Sequence, residues 1–319
     1  MAALASRLSA DRLRQYLPVA ALLVLVIGIG VAEPRFLTPN ALLQLADDTV
    51  TLIVLAAGVS FVIMLGGIDL SIQAMASLAS VIVALTVTRL GYGSFVLAIA
   101  TGVVAGCCAG IAHVKLKIPS FIATLAVGGV LAGLALLLSR ERSITLGESQ
   151  RAYLTWITGA QFGVPNALLI AALLVLAAAL LQSRTRFGRY SAAIGAGEAA
   201  AYASGVRVDR EKIKAFALSS GCAALAGVIL AGRLASGSPT LANELLLPAI
   251  AAVVVGGTAI TGGVGSIWRT LVGALIVSVV RTGMTFVGVD IFAQQIVFGI
   301  VLVLAVVVTI DRSKIPIVK

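Results

Sequence analysis

The sequence predicts an all-α, polytopic membrane protein with about ten transmembrane helices. Of its 319 residues, 60% are hydrophobic and only 11% are charged. Apolar runs close to the roughly 20 residues that cross a bilayer as a helix recur along the whole chain. Helices are expected because backbone in lipid must satisfy its own hydrogen bonds, and the alternating segments typical of membrane barrels are absent. We interpret residues 1–319 as one transmembrane domain.

The predicted spans lie between glycine, proline and charged residues. They cover residues 17–32, 48–66, 70–88, 93–113, 118–138, 165–183, 213–232, 246–262, 268–287 and 291–310. The first has features of a secretory signal, with arginines before the apolar run and small residues at its end. We interpret it as an uncleaved first span, since the later spans make a cleavable signal unnecessary.

The charge distribution predicts the orientation. The net charge of +10 would suggest a nucleic-acid partner in a soluble protein, but here the positive-inside rule explains it, and no nucleic-acid partner is expected. With the N-terminus in the cytoplasm, ten spans place 16 of the 23 basic residues inside and 6 outside, with Arg281 within or near the ninth span. The sequence therefore predicts that both termini are cytoplasmic.

A polar segment at about residues 183–212 interrupts the apolar runs. At its centre, the run Gly195-Ala-Gly-Glu-Ala-Ala-Ala-Tyr-Ala-Ser-Gly205 predicts a short, alanine-rich helix bounded by glycines. A carboxylate at Glu198 suits a helix N-terminus, and Gly205 is expected to end the helix in a left-handed conformation. Because this helix is too short to cross a membrane, we expect it to lie on the surface as a binding site for a soluble partner.

We find no sequence motif for catalysis, for ATP binding or for metal binding. No Gly-x-x-x-x-Gly-Lys-Ser/Thr loop occurs, so the chain is not expected to bind ATP by that route. His113 is the single histidine, and Cys107, Cys108 and Cys222 lie in apolar surroundings without metal-ligand spacing. We therefore expect no catalytic residue, no metal site and no bound cofactor, and we interpret the function as movement of a solute.

Two glycine-rich segments have similar sequences. Gly66 and Gly67 follow the second predicted span, and Gly256, Gly257 and Thr258 lie in the eighth. Each pair could form an ordinary tight turn, or it could end a half-helix that faces a solute path, as in transporters built from internal repeats. The similarity raises the possibility of an internal repeat here.

Asp69 is the ionisable residue that stands out, because it lies in a long apolar stretch. An acid there is a candidate for a gate or pathway, and it could also cap the third span. Further candidates for a gate or pathway are polar residues in or near the spans, which could instead pack and bond locally. They are Ser71, Gln73, Thr124, Arg281 and Gln294.

Several collinear motifs resemble those of the ribose/xylose/galactose-type permeases of bacterial ABC importers. The resemblance covers about residues 15–310. Its motifs are Gly66-Gly-Ile-Asp-Leu-Ser71, Pro119-Ser-Phe-Ile-Ala-Thr-Leu125, Thr185-Arg-Phe-Gly-Arg-Tyr190, Gly197-Glu-Ala-Ala200, Ser204-Gly-Val206, Ile213-Lys214, Ala249-Ile-Ala-Ala-Val-Val-Val-Gly-Gly-Thr258 and Gly273-Ala-Leu-Ile276.

The resemblance implies a permease in the bacterial inner membrane that pairs with a second permease copy, identical or different. It further implies a cytoplasmic ATPase that binds ATP and Mg, and a periplasmic sugar-binding protein. The alanine-rich helix would be the coupling helix, seated in a groove of the ATPase. Its residues would be Gly195, Gly197, Glu198, Ala199, Ala200, Tyr202 and Gly205.

The leading hypothesis is therefore an importer subunit for a monosaccharide or related polyol, whose binding protein docks on loops at residues 138–164 and 232–245. An ABC permease for another solute, such as a nucleoside, an autoinducer-type sugar or a branched-chain amino acid, is the first alternative. An ion-coupled secondary transporter is a second alternative, although such transporters use intramembrane carboxylate or histidine relays. A structural membrane protein without a solute path is the third.

Overall fold

The computed structural model describes residues 2–286 and, beyond them, residues 290, 293, 294, 296, 297, 299, 300 and 303. Most of the tenth predicted span lies outside the described residues, as do Met1 and the C-terminal end of the chain.

Helices dominate the described part of the chain. The ten longest are α1 (Ala2–Ala32), α2 (Pro39–Met64), α3 (Ile72–Leu90), α4 (Gly93–Lys115), α5 (Ser120–Ser139), α8 (Asn166–Arg184), α9 (Arg186–Ala196), α11 (Val208–Arg233), α12 (Leu246–Val255) and α13 (Ile267–Phe286). The short helices are α6 (Glu148–Arg151), α7 (Thr155–Thr158) and α10 (Glu198–Ala203).

Seven of these helices are long and apolar enough to cross a membrane: α2, α3, α4, α5, α8, α11 and α13. Tyr16–Ala32 and Asn243–Val255 are shorter apolar helices. The prediction of a mostly helical protein with many membrane spans is confirmed, whereas the count of about ten stays a prediction.

Among the described residues, four two-residue strands accompany the helices. β1 (Ile144–Thr145) pairs antiparallel with β4 (Ser236–Gly237). β2 (Ala160–Gln161) and β3 (Val164–Pro165) form a hairpin. The β1–β4 pair joins the two loops that the sequence placed on one side of the membrane, so the loops form one continuous surface.

α11 lies at the centre of the bundle, against α2, α3 and α4. Its contact with α4 is close because Gly102, Gly106 and Gly110 recur every fourth residue and meet α11 backbone at Ser220, Phe216 and Ile213. Small residues allow helices in a membrane to approach in this way. By contrast, α5 and α8 expose most of their apolar side chains, which is expected of helices that face lipid.

The bundle has two distinct ends. α9 and α10 lie at one, which we call the α9 end, together with the last residues of α2, α4 and α8 and the first residues of α11. Lys115 of α4 and Asp209 of α11 form an ion pair there, with 3.0 Å between Nζ and Oδ2. The opposite end carries residues 140–165 and 234–245, including all four strands.

One predicted span is wrong in length. Residues 246–262 were expected to be a continuous helix, but α12 ends at Val255. The Gly256–Gly257 pair stops it, since Gly257 adopts a φ of 85°. At a rise of 1.5 Å per residue, a ten-residue helix is about 15 Å long, which is half the thickness of a membrane core.

Candidate functional site

The alanine-rich helix predicted in the polar segment is α10. It starts at Glu198 and ends at Ala203, and Gly205 follows with a φ of 80°. The amide of Val206 donates to the carbonyl of Ala201 at 3.1 Å, and the amide of Gly205 donates to that of Tyr202 at 2.9 Å. This is the left-handed helix end expected at Gly205, and that prediction is confirmed.

α10 presents a small, nearly uncharged surface to solvent. Ala199 and Ala200 are exposed, and the Tyr202 side chain is 75% exposed. Ala201 faces the bundle instead, with 5% exposure. The exposed face therefore combines small side chains, over which another protein's backbone can approach closely, with one aromatic ring.

α9 connects α10 to the bundle. The Thr185 hydroxyl caps its N-terminus by accepting from the Gly188 amide at 3.4 Å. Phe187 packs against Phe61 of α2, with 5.4 Å between ring centroids, and Ile194 is buried. The Thr185-to-Tyr190 motif therefore forms the cap and the first turn of a helix that rests on α2.

The two glycine turns have the same backbone geometry. In the first turn, residues 65–71, Gly66 has a φ of 79° and the Gly67 amide donates to the Val62 carbonyl at 3.0 Å. In the second turn, residues 256–266, Gly257 has a φ of 85° and the Thr258 amide donates to the Val253 carbonyl at 3.1 Å. Both end a helix, but the left-handed residue is the first glycine of one pair and the second of the other.

The length of the preceding helix distinguishes the two glycine turns. The first turn follows α2, a helix of 26 residues that is long enough to span a membrane, so it is an ordinary connection. The second follows the ten-residue α12. Only the second turn follows a helix short enough to be a half-helix, and that this turn faces a solute path stays a prediction.

Asp69 lies wholly buried in the first turn. Its Oδ1 accepts from the Ser71 amide at 3.0 Å and from the Ser71 hydroxyl at 2.6 Å. Ser71, rather than Asp69, is the N-cap residue of α3. The expected cap is therefore corrected: Asp69 stabilises the turn that leads into the helix, because the chain reaches helical geometry two residues later.

α5 holds the first turn from the side. The Ser120 hydroxyl accepts from the Ile68 amide at 3.0 Å, and the Thr124 hydroxyl accepts from the Leu70 amide at 3.1 Å. Thr124 also donates to the Ser120 carbonyl at 2.9 Å. The polar residues of the Pro119-to-Leu125 motif thus form hydrogen bonds with backbone groups of the first turn. Thr124 and Ser71 therefore bond locally, which was the alternative to a role in the gate or pathway.

The other pathway candidates lie apart. Gln73 is half-buried near the start of α3, and Thr258 is fully buried with a hydroxyl that has no hydrogen-bond partner among the described residues. Arg281 is near the other end of α13, about 18 Å from Arg269 by helical rise. Gln294 is buried and donates to the Thr285 hydroxyl at 3.3 Å.

A cavity of about 540 Å³ opens between α2, α11, α12 and α13 toward the end opposite α9. This volume is within the roughly 300–1,000 Å³ of small-molecule sites. Its polar lining consists of Asp48, Thr51, Arg233, Ser278, Arg281, Thr282 and Thr285. Thr51 is 4% exposed, and its buried hydroxyl has no partner among the described residues.

Arg233 forms one wall of this cavity. Its guanidinium donates to the Asp48 carboxylate and to the Asp47 carbonyl, and it lies 3.1 Å from the Asp47 carboxylate. These contacts join the last residue of α11 to the first half of α2. They balance the charges of Arg233 and one carboxylate beside a cavity whose remaining lining is leucine, valine, proline, hydroxyl groups and Arg281.

The comparisons with known proteins decide the family. The family model for the branched-chain amino acid transport system / permease component matches residues 41–306. The chain belongs to this family of transport permeases. It is 38% identical over 301 residues to the ribose import permease of Bacillus subtilis strain 168, covering 93% of this chain and 92% of that protein.

Two further relatives come from Escherichia coli strain K12. The chain is 36% identical over 299 residues to its ribose import permease, covering 92% of each protein. It is 30% identical over 364 aligned positions to its xylose transport system permease, covering 94% of this chain and 93% of the relative. The resemblance noted from the motifs is confirmed.

The structure of this permease also shows site residues that the sequence did not reveal. Gln182, near the end of α8, accepts from the Ile267 amide at 2.9 Å and donates to the Gly265 carbonyl at 2.8 Å. Glu211 is a second buried carboxylate, bonded to Lys214 at 2.9 Å. In the sequence, Gln182 is simply a polar residue at the end of an apolar run. Its role in holding residues 265 and 267 becomes visible only in the structure, because those residues are more than 80 positions away.

Proposed function

We propose that this permease is the membrane subunit of an ATP-driven importer that passes a monosaccharide or related polyol from a periplasmic binding protein to the cytoplasm. One observation carries the proposal: an exposed coupling helix at one end of the bundle and a polar cavity at the other share α11. α11 begins five residues after α10 ends and lines the cavity with Leu230 and Arg233.

The distribution of charge supports placing the α9 end in the cytoplasm. The described basic residues of this end are Lys115, Lys117, Arg184, Arg186, Arg189, Arg207, Arg210, Lys212, Lys214 and Arg269. The positive-inside rule assigns such an end to the cytoplasm. We accordingly propose a multi-pass protein of the bacterial inner membrane with about ten spans and both termini cytoplasmic.

The exposed face of α10 is the proposed contact with an ABC ATPase. Ala199, Ala200 and Tyr202 would enter a groove of that subunit, and Glu198 and Gly205 would hold the helix in shape. ATP and Mg would be bound and used by the ATPase. The permease would work with a second copy, identical or different, as the resemblance implies.

The surface at the opposite end is the proposed dock for the binding protein. The β1–β4 pair joins loops 138–164 and 232–245 into one surface. The β2–β3 hairpin presents Phe162 at its tip with its whole side chain exposed. Aromatic side chains are enriched where proteins contact one another.

The cavity lining suits a hydroxylated solute. Thr51, Ser278, Thr282 and Thr285 supply hydroxyl groups beside the leucines at positions 45, 52, 230, 234 and 245. A sugar offers hydroxyls and apolar C–H faces together, and such a site satisfies both. The named solutes of the relatives, ribose and xylose, belong to this class.

Arg281 favours one second candidate, a solute that carries a carboxylate. It lines the cavity, and among the described residues no acid pairs with it, whereas Arg233 is held by Asp47 and Asp48. A guanidinium binds carboxylates in a fork geometry. A sugar acid or an amino acid would use this contact, and a neutral sugar would not need it.

The test begins with a tagged copy purified from its native membranes. We expect a subunit with a P-loop ATP site to co-purify, and the binding protein encoded beside the pair to stimulate its ATPase. In proteoliposomes, radiolabelled ribose or xylose should accumulate only with ATP inside and the binding protein outside. Accumulation of an amino acid or sugar acid instead would favour the second candidate. Uptake that follows an ion gradient without ATP would contradict both.

A further inference from the structure

Three segments meet at a junction made almost wholly of backbone. They are the end of α2 with the first turn, the second turn, and the end of α9. The Gly263 amide donates to the Met64 carbonyl at 2.9 Å. The Gly262 Cα is so placed that an added Cβ would lie 2.7 Å from the Gly66 amide and 3.0 Å from the Gly195 Cα. We call Met64, Gly66, Gly195, Gly262 and Gly263 the glycine junction.

Gly195 has no room for a side chain. A Cβ there would overlap the Met64 carbonyl oxygen and the Gly263 amide nitrogen, both of which are backbone atoms. Next to it, a Cβ on Gly263 would lie 2.9 Å from the Ala196 backbone. Close-packed interiors resist such overlaps, since backbone atoms cannot turn aside as the end of a side chain can. α9 therefore touches the last residue of α2 and the second turn without an intervening side chain.

Gln182 holds the second turn from α8. Its amide group uses both its donor and its acceptor on this turn and the start of α13, through the Gly265 carbonyl and the Ile267 amide. The Met64 sulfur lies 3.6 Å from the same amide nitrogen. The second turn is thus attached to α8, α9 and α2 at once.

α12 and α13 extend from this turn as a closely packed pair. A Cβ on Gly256 would lie 2.7 Å from the carbonyl carbon of Arg269, and Gly273 meets the Ala252 backbone. At their far ends the two helices line the cavity with Pro248, Ser278 and Arg281. A movement of the second turn therefore reaches the cavity through contiguous packed backbone, the kind of physical connection that carries coupling between distant sites.

We propose that the glycine junction transmits displacement of the coupling segment, α9 and α10, to the second turn and through it to α12 and α13. Gly195 and Gln182 are the positioning residues of this transmission. The inference rests on the proposed function, in which an ATPase moves α10, and it names the route by which that movement reaches the cavity.

Gly195→Ala tests the route. Gly195 lies in α9 and not, as the motif resemblance implies, in the helix that would enter the ATPase groove. The added methyl group faces the junction, so the variant should insert and retain the ATPase at the wild-type ratio. We expect uptake and binding-protein-stimulated hydrolysis to fall about tenfold, within the roughly 5–150-fold range of allosteric coupling, while basal hydrolysis persists. Gly129→Ala is the matched control, because no atom lies within 4 Å of a Cβ at Gly129 in α5.

Gln182 supplies an independent pair of variants. Gln182→Leu removes both hydrogen bonds to the second turn, whereas Gln182→Glu keeps an acceptor for the Ile267 amide and loses the donor to the Gly265 carbonyl. Stimulated hydrolysis should therefore fall further in the leucine variant than in the glutamate variant. Normal coupling in Gln182→Leu and Gly195→Ala together would overturn the proposal.

A distance measurement decides the matter even where a variant fails to fold. Ala203, at the end of α10, and Val264 are both exposed and can carry spin labels in a cysteine-free version of the otherwise unaltered protein. If α10 and the second turn move together, the distance between the labels stays the same in the nucleotide-free and ATP-bound complexes. A change with nucleotide would show that the segments slide past one another and would overturn the proposal. Loss of the ATPase contact itself would instead count against the proposed function.

Discussion

The Lys212 ammonium lies 2.7 Å from the Glu198 carboxylate, and this ion pair joins the first residue of α10 to a residue near the start of α11. The Lys212 side chain is 13% exposed, whereas Glu198 is 58% exposed. α10 is therefore attached to α11, the central helix of the bundle, by an ion pair as well as by the four residues between them.

Glu198→Gln is expected to loosen this connection. The ion pair is partly exposed, so we expect a loss of about 1 kcal/mol or less in the docking of α10 on α11. Co-purification of the ATPase should persist, and binding-protein-stimulated hydrolysis should fall about two- to fivefold, following the same free energy. Asp209→Asn is a useful control, because the Lys115–Asp209 pair is exposed at the same end and does not involve α10. Equal effects of both changes would contradict a specific role of Glu198.

Asp69 is expected to act through its hydrogen bonds to Ser71. Asp69→Ala leaves the buried Ser71 amide and hydroxyl without their acceptor, which should lower stability by about 1–3 kcal/mol. Asp69→Asn keeps an oxygen acceptor and should retain most of the stability and the uptake. Thermal stability in detergent and uptake by vesicles measure the two effects. Loss of uptake in a well-assembled Asp69→Asn variant would instead assign the function to the charge.

Thr51→Val tests the cavity. Valine has the shape of threonine without the hydroxyl, and this hydroxyl is buried with no partner among the described residues. The variant should therefore be as stable as the wild type or more so. If Thr51 bonds the solute, the concentration for half-maximal uptake should rise about five- to tenfold, which corresponds to roughly one hydrogen bond. Unchanged uptake at every concentration would place the solute elsewhere.

Single cysteines test the orientation. In a version without Cys107, Cys108 and Cys222, Tyr202→Cys should resist an impermeant thiol reagent added outside the inner membrane, and Phe162→Cys should react. Both side chains are fully or largely exposed in the permease, so when it is expressed without its ATPase and binding protein, access depends on the side of the membrane. Ala201 would be a poor probe, because it is buried. The reverse pattern of labelling would invert the proposed topology.

Local features of this fold could be predicted from sequence. Apolar length located most of the long helices within a few residues, although α2 begins at Pro39 and α11 at Val208, before the predicted 48 and 213. These helices extend beyond their apolar cores through polar turns that hydropathy does not count. Glycine chemistry correctly predicted the end of α10 at Gly205, because left-handed backbone is a property of one residue and its neighbours.

Relations between distant segments could not be predicted. Arg233 meets Asp47 and Asp48 across 185 or more residues, and Gln182 meets the second turn across more than 80. Such contacts depend on how the helices are arranged in three dimensions, and the pattern of apolar residues along the chain gives no information about that arrangement. The similar glycine pairs suggested one role for both turns, yet helix length distinguishes them, since α2 has 26 residues and α12 has ten.

The central claim, that α10 couples this permease to an ATPase, is tested most directly at Ala200. Its side chain is exposed on the α10 face, and Ala200→Arg adds a long, charged side chain there without a change inside the bundle. We expect normal membrane insertion, loss of the co-purifying ATPase and uptake reduced to background, and Ala203→Ser serves as the conservative control. Normal ATPase binding together with normal uptake in Ala200→Arg would contradict the account.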